Sequence, residues 1–95
     1  MTDNLWVVNR RNEFVGSVPI STIILSRPNT TVREVMDTSV EPLIVSMHKD
    51  EVAQRFERLD LVSAPVVSEY GKLIGRVTID DIVDVIRASA DHSLM

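Results

Sequence analysis

The chain has 95 residues, 44% of them hydrophobic and 25% charged, a balance that fits one soluble globular domain with a modest core and excludes a disordered segment. Its formal net charge of −4 argues against a nucleic-acid binder, which needs a basic face, and the lack of any cysteine excludes disulfides, thiolate metal sites and cysteine nucleophiles. No apolar run approaches the roughly 20 residues that span a bilayer, and the start of the chain carries no basic-then-apolar signal, so the expectation is a cytoplasmic chain without direct membrane insertion.

In chain order, Trp6 to Val8 is a short β-rich run, polar turn residues follow, and Phe14 to Val18 reads as a second strand. A helix starts at Ile20 and is ended by Arg27-Pro28-Asn29, because proline disfavours helical geometry in the residue before it. Thr31 with Glu34 fits a capping box for a short helical turn through Met36. Leu43 to Met47 reads as a strand, and Lys49 to Leu59 as an amphipathic helix with Val52, Phe56 and Leu59 on one side. Pro65 to Val67 is again β-rich. It leads through a turn at Tyr70-Gly71, where glycine supplies a positive φ, into a strand over Leu73 to Thr78. In the last helix Ile79, Ile82, Val83 and Ile86 recur at helical spacing as a core-facing stripe, with Asp80, Asp84, Arg87 and Asp91 on the wet side.

The chain contains one unit twice. Leu5 to Ile24 aligns without gaps on Ala64 to Val83, with Val7, Val8, Gly16, Val18, Ile20 and Ile23 meeting Val66, Val67, Gly75, Val77, Ile79 and Ile82 as identities. Phe14 and Val15 fall opposite Leu73 and Ile74, so the mismatches keep their apolar character. The second unit reads strand, helix, strand, strand, helix. The first begins at its second strand, without the opening strand and helix.

The β-α-β-β-α order, given with Gly75-x-x-Thr78-x-x-Asp81 at the last strand–helix junction, resembles the CBS domain. The resemblance implies an α+β fold, with one complete CBS motif after the second half of another. The boundaries it suggests are 1–34 for the half motif and linker, 35–88 for the complete motif and 89–95 for the start of a connecting segment. Members of this family usually work in pairs, as sensors of adenosine nucleotides or metal ions attached to enzymes, channels and transporters. The run from Val66 to Gly75, continued through Thr78 to Ile86, is similar to the second CBS motif of MgtE-type magnesium transporters. That likeness implies a cytosolic regulatory region joined to a transmembrane pore domain of the parent chain, in which bound Mg2+ favours the closed pore.

Asp80, Asp81 and Asp84 lie within five residues at the start of the last helix, and their i, i+3 and i, i+4 spacings let carboxylates converge. Mg2+ takes hard oxygen ligands and keeps several waters, so one or two carboxylates suffice to hold it. From spacing alone, acids complementing the helix dipole are the favoured account. The resemblance assigns metal contacts to Asp81 and Asp84. It places Asp91 on the connecting segment, where His92 and Ser93 stand in place of expected acids. In nucleotide-binding members of the family the positions of Thr78 and Asp81 contact phosphate and ribose, and backbone at Ala64-Pro65-Val66 meets the base. Thr78-x-x-Asp81 is equally a helix capping box. The first unit has Pro19 and Thr22 at these positions, neither hydroxyl nor carboxylate where they are needed, so that half-site is dead. Trp6, opposite Pro65, is expected to pack in the core or an interface rather than to stack on a base.

No nucleophile is paired with a base and no glycine loop cradles phosphate, so catalysis is not expected. Three roles follow: Mg2+ sensor, adenosine-nucleotide sensor, or structural dimerisation module. The uncovered helix face of the first unit, with Ile20, Ile23 and Ile24, leads to an expected homodimer.

Overall fold

The computed structural model describes residues 4–84 and 87. β1 (Asn4–Val8) and β2 (Phe14–Pro19) form an antiparallel hairpin, and α1 (Ile20–Leu25) follows without a break. After α2 (Val32–Val35) comes a mixed sheet in the order β3-β4-β5, made of β3 (Leu43–Ile44), β4 (Ser63–Val67) and β5 (Leu73–Thr78). α3 (Lys49–Leu59) crosses from β3 to β4, which run parallel. Residues 79–84 are helical, here α4. Ile86, the last residue of the expected apolar stripe, lies outside the described residues. Among the described residues no helix is long and apolar enough to cross a membrane.

The internal repeat is also a structural one. β1 and β2 pair from Asn4↔Pro19 to Val8↔Phe14 with an irregularity between Val7 and Val8. β4 and β5 pair from Ser63↔Thr78 to Val67↔Leu73 with the irregularity between Val66 and Val67, so every equivalent residue keeps its partner. Both turns are closed by a side-chain oxygen at the same place. Asn9 Oδ1 accepts from the Arg11 and Glu13 N–H groups, and Ser68 Oγ from those of Tyr70 and Lys72. Such side chains mimic a backbone turn and leave one residue in the left-handed region. That residue is Asn12 (φ 62°) in one turn and Gly71 (φ 81°) in the other.

The main buried cluster belongs to the second unit, with Val18 of the first unit buried apart from it. Leu43, Phe56, Ala64 and Ile82 are buried against one another, with Val52, Leu61, Val77 and Ile79 packed around them. α3 supplies Phe56. Its first turn is held by His48 Nδ1, which accepts from the Asp50 N–H at 3.1 Å, and Asp50 and Glu51 complement the dipole there.

Two expectations are corrected. β3 ends at Ile44 rather than Met47, because the chain turns there and the Met47 N–H donates to the Ile44 carbonyl at 2.8 Å. Leu59 does not share the buried side of α3 and is 53% exposed. The helix stops with Asp60 left-handed, and the Leu61 N–H reaches back to the Phe56 carbonyl at 3.0 Å. That reversal swings Leu61 into the core in place of Leu59. Elsewhere the strand and helix ends fall within two residues of those expected, and α1 stops at Leu25, ahead of Pro28.

Candidate functional site

β5 runs straight into α4, so Thr78 is the last strand residue and Asp81 sits in the first helical turn. The Thr78 N–H and hydroxyl both donate to Asp81 Oδ2, each at 3.0 Å. This is the carboxylate half of the expected capping box. The Thr78 hydroxyl donates to the acid instead of accepting from the helix. Those two bonds, the backbone one first, hold the Asp81 carboxyl below the usual carboxylate range, against a small desolvation effect and with a lesser pull from Arg76. Arg76 went unnoticed in the sequence. Its signal was a cation two residues ahead of the threonine on the same strand.

The strand register decides what else lies near Thr78. Ser63 is directly opposite it, Ala64 is opposite Val77 and Pro65 is opposite Arg76. Ala64 and Pro65 are buried and Val66 is half-buried. The hairpin therefore brings the threonine, the aspartate and the Ala64–Val66 backbone to one end of the β4–β5 ladder. Proline fits on β4 because Arg76, its partner, does not require a ladder donor from it.

Asp80 and Asp84 are exposed on α4, one turn apart, and neither makes a hydrogen bond or ion pair with another described residue. Among the described residues no group of three or more His, Asp or Glu side chains is placed to hold a metal ion. The expected acids are thus brought to one helix start and not folded into a closed cage. Oxygen-only donors beside open solvent suit a hydrated hard cation. Asp91, His92 and Ser93 lie outside the described residues.

In the first unit Pro19 caps α1 without any side-chain hydrogen bond, and Thr22 stands where Asp81 does in the second. Trp6 packs edge-on against Phe14, with ring centroids 6.4 Å apart at 63°, and its Nε1 is buried without a partner. Packing, not an open stacking surface, describes its surroundings.

The CBS domain family model matches residues 32–88. The magnesium transporter MgtE of Bacillus subtilis (strain 168) is 38% identical over 88 residues, covering 93% of this chain and 20% of that protein. The chain therefore spans about a fifth of the length of the curated relatives it matches. Among solved structures, the soluble part of a magnesium transporter superposes with a TM-score of 0.86 at 30% identity, over 92% of this chain and 34% of that one. The cytosolic domain of the Mg2+ channel MgtE in complex with ATP gives a TM-score of 0.81 at 33% identity, over 86% of this chain and 33% of that one.

Proposed function

The chain belongs to the CBS domain family, and we propose that it is a cytosolic regulatory part of a magnesium transporter, sensing intracellular Mg2+ to gate transport rather than catalysing a reaction. The observation that carries this reading is the likeness to a magnesium transporter along 93% of the chain, where α4 carries the exposed carboxylates of Asp80 and Asp84 beside that of Asp81. On this reading residues 1–34 are the half motif and linker, 35–88 the complete motif and 89–95 the start of the connection to the pore domain.

Mg2+ would be held through waters by Asp81 and Asp84, with Asp80 and Asp91 adding charge. A neighbouring copy or domain would complete its shell, since a dication relieves the repulsion among acids on two facing surfaces. Binding in that place draws the surfaces together, and the connecting segment passes the movement to the pore. A homodimer supplies the second surface in the simplest way.

The test is thermal unfolding with Mg2+, Ca2+, ATP and AMP added separately at matched ionic strength, because a ligand that binds the native state raises stability by RT ln(1 + [L]/Kd). A rise of a few degrees with Mg2+, lost in Asp84→Asn, is expected. A Mg2+ response that survives Asp84→Asn at full size removes the assignment of that residue.

A second reading, an adenosine-nucleotide sensor, is favoured by the Thr78–Asp81 pair beside the Ala64-Pro65-Val66 backbone and by the ATP in a similar solved structure. A carboxylate held ionised accepts from a ribose diol, and a threonine hydroxyl can turn to a phosphate oxygen. Here Thr78→Ala removes an ATP or AMP response and leaves that to Mg2+.

A further inference from the structure

β3 and β4 end at the same level. Ile44 is the partner of Val67 in the parallel ladder, and each is the last residue of its strand. Beyond that level the two chains turn separately. The Met47 N–H folds back to the Ile44 carbonyl at 2.8 Å, and the Gly71 N–H to the Ser68 carbonyl at 3.0 Å. The second turn is braced by the first unit: the Phe14 N–H donates to the Gly71 carbonyl at 3.0 Å, and the Leu73 N–H to the Asn12 carbonyl at 2.9 Å. The two turns enclose a hollow over the end of the sheet, and α3 closes it from the side with Arg55. Its volume is about 370 Å3, within the range that small-molecule sites occupy. It lies at the far end of the β4–β5 ladder from Thr78 and Asp81, roughly 13 Å along the strand from Ser63 to Val67.

The lining divides into three kinds of surface. Ile44, Met47 and Val67 are apolar, Val67 being buried and Ile44 43% exposed. The second kind donates hydrogen bonds. Arg55 is one residue ahead of Phe56 on α3, so it stands about 100° round the helix from that core side chain, at the border of the core face. It is half-buried, and among the described residues its guanidinium has no carboxylate partner and donates once, from Nη1 to the Pro42 carbonyl at 3.4 Å. That tether aims the fork and leaves its other donors free. Ser68 lines the same hollow. Its hydroxyl oxygen accepts from the Tyr70 and Lys72 N–H groups, and its own proton has no acceptor among the described residues. The third kind is acidic, since Glu41 and Glu69, both exposed, bring carboxylates to the hollow without forming an ion pair with Arg55.

Opposite charges that line one cavity without pairing are each left to a ligand. A molecule that answers all three surfaces has an anionic group, a cationic group and an apolar body. We infer that the cavity binds a free α-amino acid with an apolar side chain. The carboxylate takes the Arg55 fork and the Ser68 hydroxyl, the ammonium group meets Glu41 and Glu69, and the side chain covers Ile44, Met47 and Val67. The two acids repel a plain anion and the guanidinium repels a plain amine, which selects the zwitterion. The site is separate from those of the Mg2+ and nucleotide readings and does not depend on either.

The test compares L-leucine with its two halves, leucinamide for the cation and isocaproate for the anion, by calorimetric titration of the chain at matched ionic strength. Leucine should bind about tenfold or more tighter than either half. Equal affinity for leucine and one of the halves overturns the inference, because a single charge is then enough. Absence of binding by all three at about 10 mM overturns it as well. Leucine should also move the amide signals of Ser68 and Glu69 in an NMR titration, and movement confined to other residues places the ligand elsewhere and overturns the inference. Arg55→Gln should weaken leucine about tenfold and remove its advantage over leucinamide. Should that variant not fold, Glu69→Gln on the exposed turn should remove part of the advantage over isocaproate. Unchanged leucine affinity in either folded variant overturns the assignment.

Discussion

The two units share a backbone, a register and a turn, yet the main buried cluster lies in one, while the other buries only Gly16, Ser17 and Val18 along β2. Ile82 is 4% exposed and its equivalent Ile23 is 41% exposed, although the helices that carry them start from the same strand end. The difference is β3 and α3, which roof the second hairpin and leave the first bare on that side. A supersecondary unit keeps its local geometry through hydrogen bonds, while its contribution to stability depends on what covers its apolar face. The same contrast appears at the strand–helix junction, where Thr78 and Asp81 hold each other and Pro19 and Thr22 make no such contact.

The largest expected effect separates the cores. Ile82→Ala should cost about 2–5 kcal/mol in denaturant unfolding, and Ile23→Ala less than about 1. Equal costs would break the comparison. Next comes the pair of equivalent glycines. Gly16→Ala drives a methyl against the Asp37 carbonyl and the Met36 sulfur, at a cost of about 1–3 kcal/mol, whereas Gly75→Ala has open space and should stay within about 0.5. The turns give a smaller contrast. Gly71→Ala forces a side chain into the left-handed region at about 1 kcal/mol, while Asn12→Gly keeps a backbone that glycine adopts readily and loses only the exposed Nδ2 bond to the Leu73 carbonyl, at about 0.5 kcal/mol.

The last effect is one of pH. The folded Asp81 carboxyl lies below the usual carboxylate range, so its contribution is fully present above that range and is lost as pH falls through the folded value. The residue is exposed, and the acid limb it adds is correspondingly shallow. Asp81→Asn should flatten that limb in a thermal series between neutral pH and about pH 3. The first unit, with Thr22 at this position, has no counterpart to it.

Much of this was legible in the sequence because a repeat tests itself. Six identities between Leu5–Ile24 and Ala64–Val83 aligned the strands, turns and helix starts, and the observed registers match them residue for residue. The order around the second core followed from the spacing of Val52 and Phe56 and of Ile79 and Ile82. What escaped were places where long-range contacts decide. Leu59 kept helical spacing but lost its place to Leu61, because a left-handed Asp60 reversed the chain one residue later. Periodicity has no means of announcing where it stops. Asp37 showed no strand pattern, since one extended residue pairing with Ser17 has no period at all. Thr78 and Asp81 were legible by their spacing, but the direction of the hydroxyl's bond is set by the fold. The carboxylates of α4 were legible as a group from their spacing.

The union of the two hairpins has a consequence for how such a molecule drifts through descent. It is tied by main-chain atoms of Phe14, Gly71, Leu73 and Asn12, with one side-chain strap among the described residues, from Asn12 Nδ2 to the Leu73 carbonyl. Main-chain ties carry no spelling. Phenylalanine could face leucine and asparagine face glycine across the copies without loosening the seam, and one copy could shed its acid and its cap while the other kept both. A seam so indifferent to side chains lets one half specialise while the other half simply keeps it company.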